Sequence, residues 1–426
     1  MVSQTPVTVV GKIRQGELEN LKNVLASIRS EGGQSAILPF DRFSRTHFAR
    51  IVIVDPTSYL RGQPLAANLV YVSDVDGSVD EHLEQIVALG ADGLDRIFSY
   101  CEDYPTRAEL TRETRLRYVR GHLTQTPAVY IHKRGHTVDQ IRREARLREA
   151  IEEFLDRSAE RFARARPTEI RAAIQAYVDA DEALRWATRT PPESPSLSFR
   201  LGEALDLARV ALLLLVLSPV IIVGFPIWVV LLRLRELTES LPDVKPTDAH
   251  LAAVLATEDH GVQNAYTGVA FVKPGRFGQL TSRGILWITN LATRHYYNRG
   301  DLGGVPIIHF LRFIFIDDYR RAFFISTYDG SLESYVDDLI DLVLWGLNAI
   351  FGQGVGYPKT SWLFFEGARD EQAFKDFMRV QQVPTSVFYS AYPQLSTANI
   401  VNNSRIRAGL YGSMSEAETA RWLQLL

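Results

Sequence analysis

The chain has 426 residues, 46% of them hydrophobic and 23% charged. It is therefore long enough for two or three domains and typical of a globular protein with one added apolar segment. A net charge of −3 gives no indication of a nucleic-acid partner. The single cysteine, Cys101, excludes an intramolecular disulfide and fits a reducing compartment. Residues 1–15 lack the basic stretch and apolar run expected of a signal peptide.

The first third of the chain alternates predicted strands with predicted helices. Alternating β-rich runs predict strands at 7–14, 47–55, 68–75 and 128–132. Apolar residues at helical spacing, with a capping-box start at Ser78, predict helices at 17–28, 78–98 and 112–123. Without the third helix, this order is the split β-α-β arrangement of a ferredoxin-like fold. We assign residues 1–136 to a first ferredoxin-like repeat.

The middle of the chain is first highly charged and then strongly apolar. Residues 137–200 are predicted to form a charged helical region that ends in a proline-rich linker. Residues 210–232 carry no charge and are closed by Arg209 on one side and Arg233 on the other. Because an apolar run of this length can cross a bilayer core of about 30 Å, we predict an inserted membrane-embedded helical segment within residues 201–241.

The second half repeats the pattern of the first. Strands are predicted at 267–273, 308–317 and 322–328, with a helix at 277–297. The sequence HFLRFIFID, starting at His309, matches HFARIVIVD, starting at His47, and Asp329-Gly330-Ser331 matches Asp76-Gly77-Ser78. From these turns the two copies align without a gap through two Tyr-Pro pairs. We predict a second ferredoxin-like repeat over 250–410 and a C-terminal helix over 411–426.

The duplication predicts an α+β fold in which two tandem ferredoxin-like repeats form a pseudo-dimeric α/β barrel. A ferredoxin-like sheet carries helices on one face only, and the second copy can cover the other. Two packed copies must lie on the same side of a membrane, which we expect to be the cytoplasmic side. Pro219, Gly224 and Pro226 interrupt the apolar segment and favour a re-entrant hairpin. A proline-kinked single span is the alternative.

Residues that occur in both copies are the first candidates for chemistry. His47 and His309 each stand three residues before an arginine, Arg50 or Arg312, so on a strand the two side chains face opposite ways. An arginine among apolar residues needs either an anionic ligand or a buried ion pair with the other copy. The aspartate repeated as Asp76 and Asp329 lies between a strand and a helix. This aspartate either stabilises the turn and caps the helix, or its carboxylate faces a ligand.

The motif HFxRxxxxD, followed by a strand that ends in Asp-Gly-Ser, resembles the dimeric α/β-barrel superfamily. The tandem arrangement is similar to that of the dye-decolorising peroxidases. This resemblance implies a haem in the C-terminal copy, a distal aspartate in a Gly-x-x-Asp-Gly motif, a distal arginine and a proximal histidine. Asp329 matches the aspartate of that motif, whereas Ser326 stands in place of its first glycine and no histidine follows His309.

From the repeats and the resemblance, the candidate catalytic residues are Asp329, Arg312 and His309. If a haem is bound, His260 and His309 are its candidate ligands, with His295 as a further histidine of the second copy. The sequence carries no strong metal-binding motif.

Two functions remain open from the sequence. One is an oxidoreductase, peroxidase-like, that acts on a lipid or another hydrophobic small molecule at the membrane. The other is a non-catalytic lipid-binding or scaffolding membrane protein. A polar cavity between the sheets, lined by Arg312 or His309, favours the first. A barrel filled by Phe313, Phe315 and Phe324 favours the second.

Overall fold

The computed structural model describes residues 3–30, 38–59, 62–191, 197–239, 245–259, 261–298 and 300–426. Over these residues the protein is a mixed α and β structure, built mainly from two antiparallel sheets and one long apolar helix. The elements of the first part, residues 4–180, are β1 (Gln4–Lys12), α1 (Leu18–Ser30), β2 (Thr46–Val54), β3 (Asn68–Asp76), α2 (Val79–Leu89), α3 (Ala91–Phe98), α4 (Arg112–Gly121), β4 (Ala128–Ile131), α5 (Val138–Arg157) and α6 (Pro167–Ala180).

The second part begins with the apolar helix, α7 (Leu197–Thr238), which leads into the second series of strands and helices. Those elements are α8 (Asp248–Leu255), β5 (Gln263–Phe271), α9 (Arg276–His295), β6 (Ile308–Ile316), β7 (Arg321–Asp329), α10 (Leu332–Phe351), α11 (Glu371–Gln381), β8 (Thr385–Ser390), α12 (Thr397–Ala408) and α13 (Glu416–Leu423). Two-residue strands at Thr360–Ser361 and Phe365–Glu366 form a small ribbon between α10 and α11.

Each large sheet takes three strands from one half of the chain and its fourth strand from the other half. The first sheet has the order β1-β3-β2-β8, and the second has the order β4-β6-β7-β5. Strand β4 pairs with β6 across Ala128↔Phe313, and β8 pairs with β2 across Phe388↔Arg50. Because the fourth strands are exchanged, the two halves are interlocked through backbone hydrogen bonds.

The two sheets pack face to face through a dry layer of branched and aromatic side chains. Strands β2 and β3 contribute four valines, and β6 and β7 contribute three isoleucines and a phenylalanine: Val52, Val54, Val70, Val72, Ile314, Ile316, Ile325 and Phe323. The opposite face of each sheet packs against helices, so both faces of the central strands are covered, as the sequence pattern predicts.

The strands described here pair as two separate sheets and not as one closed barrel. The segments that lead into the exchanged strands nevertheless touch both sheets. The amide of Thr124 donates to the carbonyl of Thr8 in β1 (2.9 Å), ahead of the point where β4 joins β6. Likewise, the amide of Val383 donates to the carbonyl of Thr267 in β5 (2.8 Å), just before β8 joins β2.

The apolar segment is one continuous helix, and the predicted hairpin is wrong in this respect. Pro219 and Pro226 both lie inside α7, which runs for 42 residues without a turn. This helix is long and apolar enough to cross a membrane, and none of its most apolar stretch is buried in the protein. By length and composition alone this is weak evidence for membrane association.

Candidate functional site

The predicted histidines and aspartates form one buried pair in each half. His47 Nε2 lies 2.9 Å from Asp76 Oδ1, and His309 Nε2 lies 2.7 Å from Asp329 Oδ1. The second oxygen of each carboxylate accepts the backbone N–H of the first residue in the helix that follows the fourth strand, Val138 at 2.8 Å or Thr397 at 2.7 Å. Both aspartates therefore anchor a helix N-terminus, where negative charge is favourable.

The predicted arginines reach across the dry layer and bind the other half of the protein. Arg312 donates to the carbonyls of Val7 (2.8 Å) and Ser73 (2.9 Å) and forms an ion pair with Asp74. This is the ion pair with the other copy that the sequence offered as one interpretation. Arg312 does not bond to Asp329, so the structure does not bring these two catalytic candidates together through a direct contact.

Arg50 of the first half extends into the second half in the same way, but among the residues that the structure describes it forms no ion pair with a carboxylate there. It donates to the carbonyl of Tyr266 (2.8 Å) and to the hydroxyl of Thr327, which aligns with Asp74. Burial lowers the pKa of both guanidinium groups, to about 10 for Arg50, which therefore stays charged at neutral pH. The two arginines are therefore structural ties between the sheets.

The surroundings of His309 are too tight for a haem. A space of about 20 Å³ lies among His309, His132, His136 and Tyr392, which is room for about one water molecule. Neither ring nitrogen of His132 has a hydrogen-bond partner, and burial lowers its pKa to about 4. His309 is itself held by Asp329, so this set of residues does not fit a haem ligand and its pocket.

The two other candidate histidines are not near this space as far as the structure describes them. His295 ends α9, where its Nε2 lies 3.4 Å from the carboxylate of Asp206. His260 lies outside the described residues. Among those residues, no group of three or more histidine, cysteine, aspartate or glutamate side chains could hold a metal ion.

An apolar cavity lies on the helix-facing side of the second sheet, and not between the sheets. Its volume is about 200 Å³, and it is enclosed by α9, α10, β6 and β7. Phe313 and Phe324, predicted to fill a barrel, instead form its floor. The only polar side chains in the lining are those of Thr289, Thr293 and Tyr297. The wall is therefore apolar and carries no titratable group other than one phenol.

The same place in the first half is filled. Six lining residues of the cavity align, copy to copy, with lining residues of a space of only about 20 Å³ in the first half: Phe313, Phe324, Leu339, Leu347, Ile350 and Phe351 with Ile51, Tyr71, Ile86, Leu94, Ile97 and Phe98. The first-half space is closed by the additional side chains of Leu38, Phe40 and Phe43, all of which are buried.

The two halves also differ in one segment, of which Leu302 lines the cavity in the second half. Counting back from the aligned histidines, Leu38, Phe40 and Phe43 correspond to Gly300, Leu302 and Val305. The backbone bond is retained, since the amide of Phe43 donates to the carbonyl of Phe40 (3.0 Å) and the amide of Val305 donates to that of Leu302 (3.2 Å). Smaller side chains on a similar turn leave the cavity open.

The sequence hypotheses missed this site because they followed polar residues. The usable signal was the loss of volume in the second copy at otherwise aligned positions.

No protein-family model, no curated protein and no solved structure matches the chain. The peroxidase resemblance therefore stays an expectation from the sequence.

Proposed function

We propose that the protein is a membrane-associated, non-catalytic binder of a lipid or a similar hydrophobic molecule. The observation that carries this proposal is the cavity of about 200 Å³ in the second half, at a place that the first half fills with aromatic side chains. Its lining suits an alkyl chain, because apolar walls with few polar groups are typical of sites for hydrophobic ligands.

Occupancy of this cavity stabilises the protein. A buried alkyl chain contributes about 0.8 kcal/mol for each methylene group removed from water. A protein that opens such a space next to a helix of 42 residues with an exposed apolar surface has a ready source of alkyl chains in the membrane.

The architecture we propose is a pair of tandem ferredoxin-like repeats that form a pseudo-dimeric α/β barrel. The exchanged strands and the bonds from Thr124 and Val383 to the first strand of each half support closure. We also propose that both repeats lie on the cytoplasmic side. The interlocked sheets favour a common side, and a single, buried cysteine is compatible with a reducing compartment.

The experiment that tests lipid binding fills the cavity with the side chains of the first half. Leu302→Phe, alone and with Val305→Phe, restores the aromatic residues found at Phe40 and Phe43. We expect the wild-type protein, purified in mild detergent, to retain about one mole of lipid per mole and the double variant to lose most of it, because the alkyl chain and the phenyl rings compete for one volume. The measurement is mass spectrometry of extracted lipids.

A matched control places the same substitution outside the cavity. Leu123→Phe changes an exposed leucine of the first half and leaves the lipid content unchanged. Equal lipid content in the wild-type protein and the double variant, with both folded by circular dichroism, contradicts the proposal.

The alternative proposal is a peroxidase-like oxidoreductase that acts on a hydrophobic substrate. Its candidates His309, Asp329 and Arg312 are all engaged in structural bonds, which weighs against it. The visible spectrum of the same purified sample decides the matter. A Soret band of stoichiometric intensity supports the enzyme and removes the non-catalytic proposal.

A further inference from the structure

The second half carries several exposed apolar side chains on the elements that line the cavity. Trp345 and Phe364 line the cavity and are also exposed by about half. Further exposed residues lie on the ribbon, on α9 and on α10: Trp362, Phe365, Leu280, Ile288 and Leu342. We propose that this face and helix α7 together dock into one leaflet of a phospholipid bilayer, without crossing it.

Both ends of helix α7 are tied to the second half. Near its start, the carboxylate of Asp206 lies 3.2 Å from Arg294 at the end of α9. Near its end, the indole N–H of Trp228 donates to the hydroxyl of Thr281 (2.9 Å). Further on, Arg235 donates to the carbonyl of Pro274 (2.7 Å), just before α9 begins. These contacts, in this order, place α7 antiparallel to α9 along one face of the second half.

Between Arg209 and Arg233 the helix carries no charged side chain, and most of its apolar side chains are exposed. Leu215, Val216 and Ile222 are each about two-thirds exposed. A helix of 42 residues is about 63 Å long, roughly twice the thickness of a hydrocarbon core. Helix α7 is held to one face of the second half near both ends and exposes apolar side chains between them. This arrangement suits a helix that lies parallel to the membrane within one leaflet.

The exchanged strands argue against a single crossing. The first half precedes helix α7 and the second half follows it, so a helix that crosses the membrane once places them on opposite sides. Strand β4 of the first half is hydrogen-bonded into the second sheet, and β8 of the second half into the first. Both halves therefore share one side, and the apolar helix must lie on the membrane surface or within one leaflet.

The aromatic ribbon between α10 and α11 is held rigidly with its side chains outward. Trp362 and Leu363 adopt left-handed backbone conformations, with φ of 52° and 67°, which cost about 1 kcal/mol or more each for residues with a side chain. The buried carboxylate of Glu236 near the end of α7 accepts both of their amides, at 2.9 and 2.8 Å. The side-chain amide of Asn348 donates to the carbonyls of Phe364 and Glu366, both at 2.9 Å.

The aromatic ribbon is already ordered before it binds. Its insertion into lipid therefore costs little conformational entropy. Trp362 and Trp345 suit the boundary between headgroups and chains, where tryptophan is enriched. Arg233 stacks on the Trp362 ring at 5.2 Å and pairs with Glu236 (3.0 Å), which further fixes the tryptophan. Docking on this face also places the cavity mouth against the acyl chains. That last consequence alone rests on the proposed function.

The test measures the depth of single labelled sites in the full-length protein. Cys101, which is buried, is replaced by alanine, and one cysteine is introduced as Phe365→Cys, Val216→Cys, Leu89→Cys or Glu371→Cys. Each variant carries an NBD fluorophore and is inserted into preformed phosphatidylcholine vesicles. External dithionite, a charged reductant, then bleaches every label that it can reach. Doxyl-labelled phosphatidylcholine quenches every label that lies among acyl chains.

We expect the labels at 365 and 216 to be reduced roughly tenfold more slowly than those at 89 and 371, since a charged reductant is excluded from hydrocarbon. The doxyl lipid should quench only the first two. Reduction at 365 as fast as at 371 overturns the docking face even if 216 is protected. A label at 89 or 371 that dithionite reaches only after detergent is added overturns the common side.

The outcome is separable from that of the lipid-binding experiment. Protection at 365 together with unchanged lipid content in the Leu302→Phe and Val305→Phe variant keeps the docking face and removes the bound ligand. Glu236→Ala provides a second readout, because it frees the amides of Trp362 and Leu363. It should increase the mobility of the label at 365 and leave the label at 216 protected. An unchanged mobility removes the role of Glu236 in holding the ribbon.

Discussion

The two halves use aligned residues for the same buried contacts. They differ at the place where the second half has an apolar cavity and the first half is filled. In both, a histidine binds an aspartate that anchors a helix, and an arginine reaches into the opposite sheet. Among the described residues, the cavity of about 200 Å³ and the exposed aromatic side chains near it belong to the second half. The residues that both halves share thus hold the fold together, and the residues that differ mark the candidate site.

Arg312 should be far more important for stability than Arg50. Arg312→Met leaves the carboxylate of Asp74 buried without a counter-charge, which costs about 3–5 kcal/mol. Arg50→Met removes the donor to the hydroxyls of Thr327 and Thr267 and to the carbonyl of Tyr266, for about 1–3 kcal/mol. Denaturant unfolding in mild detergent measures both. Adding Asp74→Thr to Arg312→Met should recover part of the loss, and equal losses for the two single variants would contradict this asymmetry.

The first half should also be the more sensitive to acid, because of His82. Its Nε2 lies 2.9 Å from the Ser73 hydroxyl and 3.1 Å from that of Tyr71, and burial lowers its pKa to about 3. The unfolded chain therefore binds a proton below about pH 6.5 that the folded state does not, and stability falls by about 1.4 kcal/mol for each pH unit between 6.5 and the folded pKa. From pH 6.5 to 5 the loss from His82 is about 2 kcal/mol.

His82→Gln keeps a hydrogen-bonding group that does not titrate, so it should flatten the pH dependence of unfolding by that amount. His132 and His136, with pKa values lowered by burial to about 4 and about 3, continue to contribute in this variant. In the second half the aligned residue is Tyr335, whose hydroxyl donates to Ser326 (3.0 Å). Tyr335→Phe is the control and should not change the slope. Identical slopes for the wild-type protein and His82→Gln would rule out this origin of acid sensitivity.

Most helices and strands could be predicted from the sequence, because hydrophobic periodicity and helix capping depend on only a few neighbouring residues. The capping box at Ser78 is present, and β2 and β6 begin and end within one residue of their predicted bounds. The helix predicted for 78–98 is interrupted at Gly90, and its counterpart α10 has a non-helical residue at the aligned Val343. Strand β5 begins four residues before its predicted start, since its first residues, Gln263 and Asn264, are buried with hydrogen-bonded side chains.

The sequence did not predict in the same way which strands pair with each other or how the side chains pack. The alternation in β4 specifies a strand but not that it pairs with β6 of the other half. The sequence also marked His309 and Asp329 as catalytic candidates because they recur, and in both halves the recurring pair makes the same contact. The cavity depends on the difference in volume between Phe40 and Leu302, which has meaning only once the halves are superimposed in three dimensions.

The aspartates offer the finest comparison, since the two halves differ there by one bond, which Asp329 accepts from the Thr397 hydroxyl (2.8 Å). In Asp76→Asn or Asp329→Asn, one of the two acceptor oxygens becomes an amide, so either the histidine or the helix N–H loses its partner. Each change should cost about 1–2 kcal/mol, measured by denaturant unfolding, and leave the lipid content unchanged, because neither aspartate lines the cavity. A variant of Asp329 that keeps its stability but loses ligand or activity, while Asp76→Asn does neither, would show that the recurrence conceals a functional carboxylate in the second half.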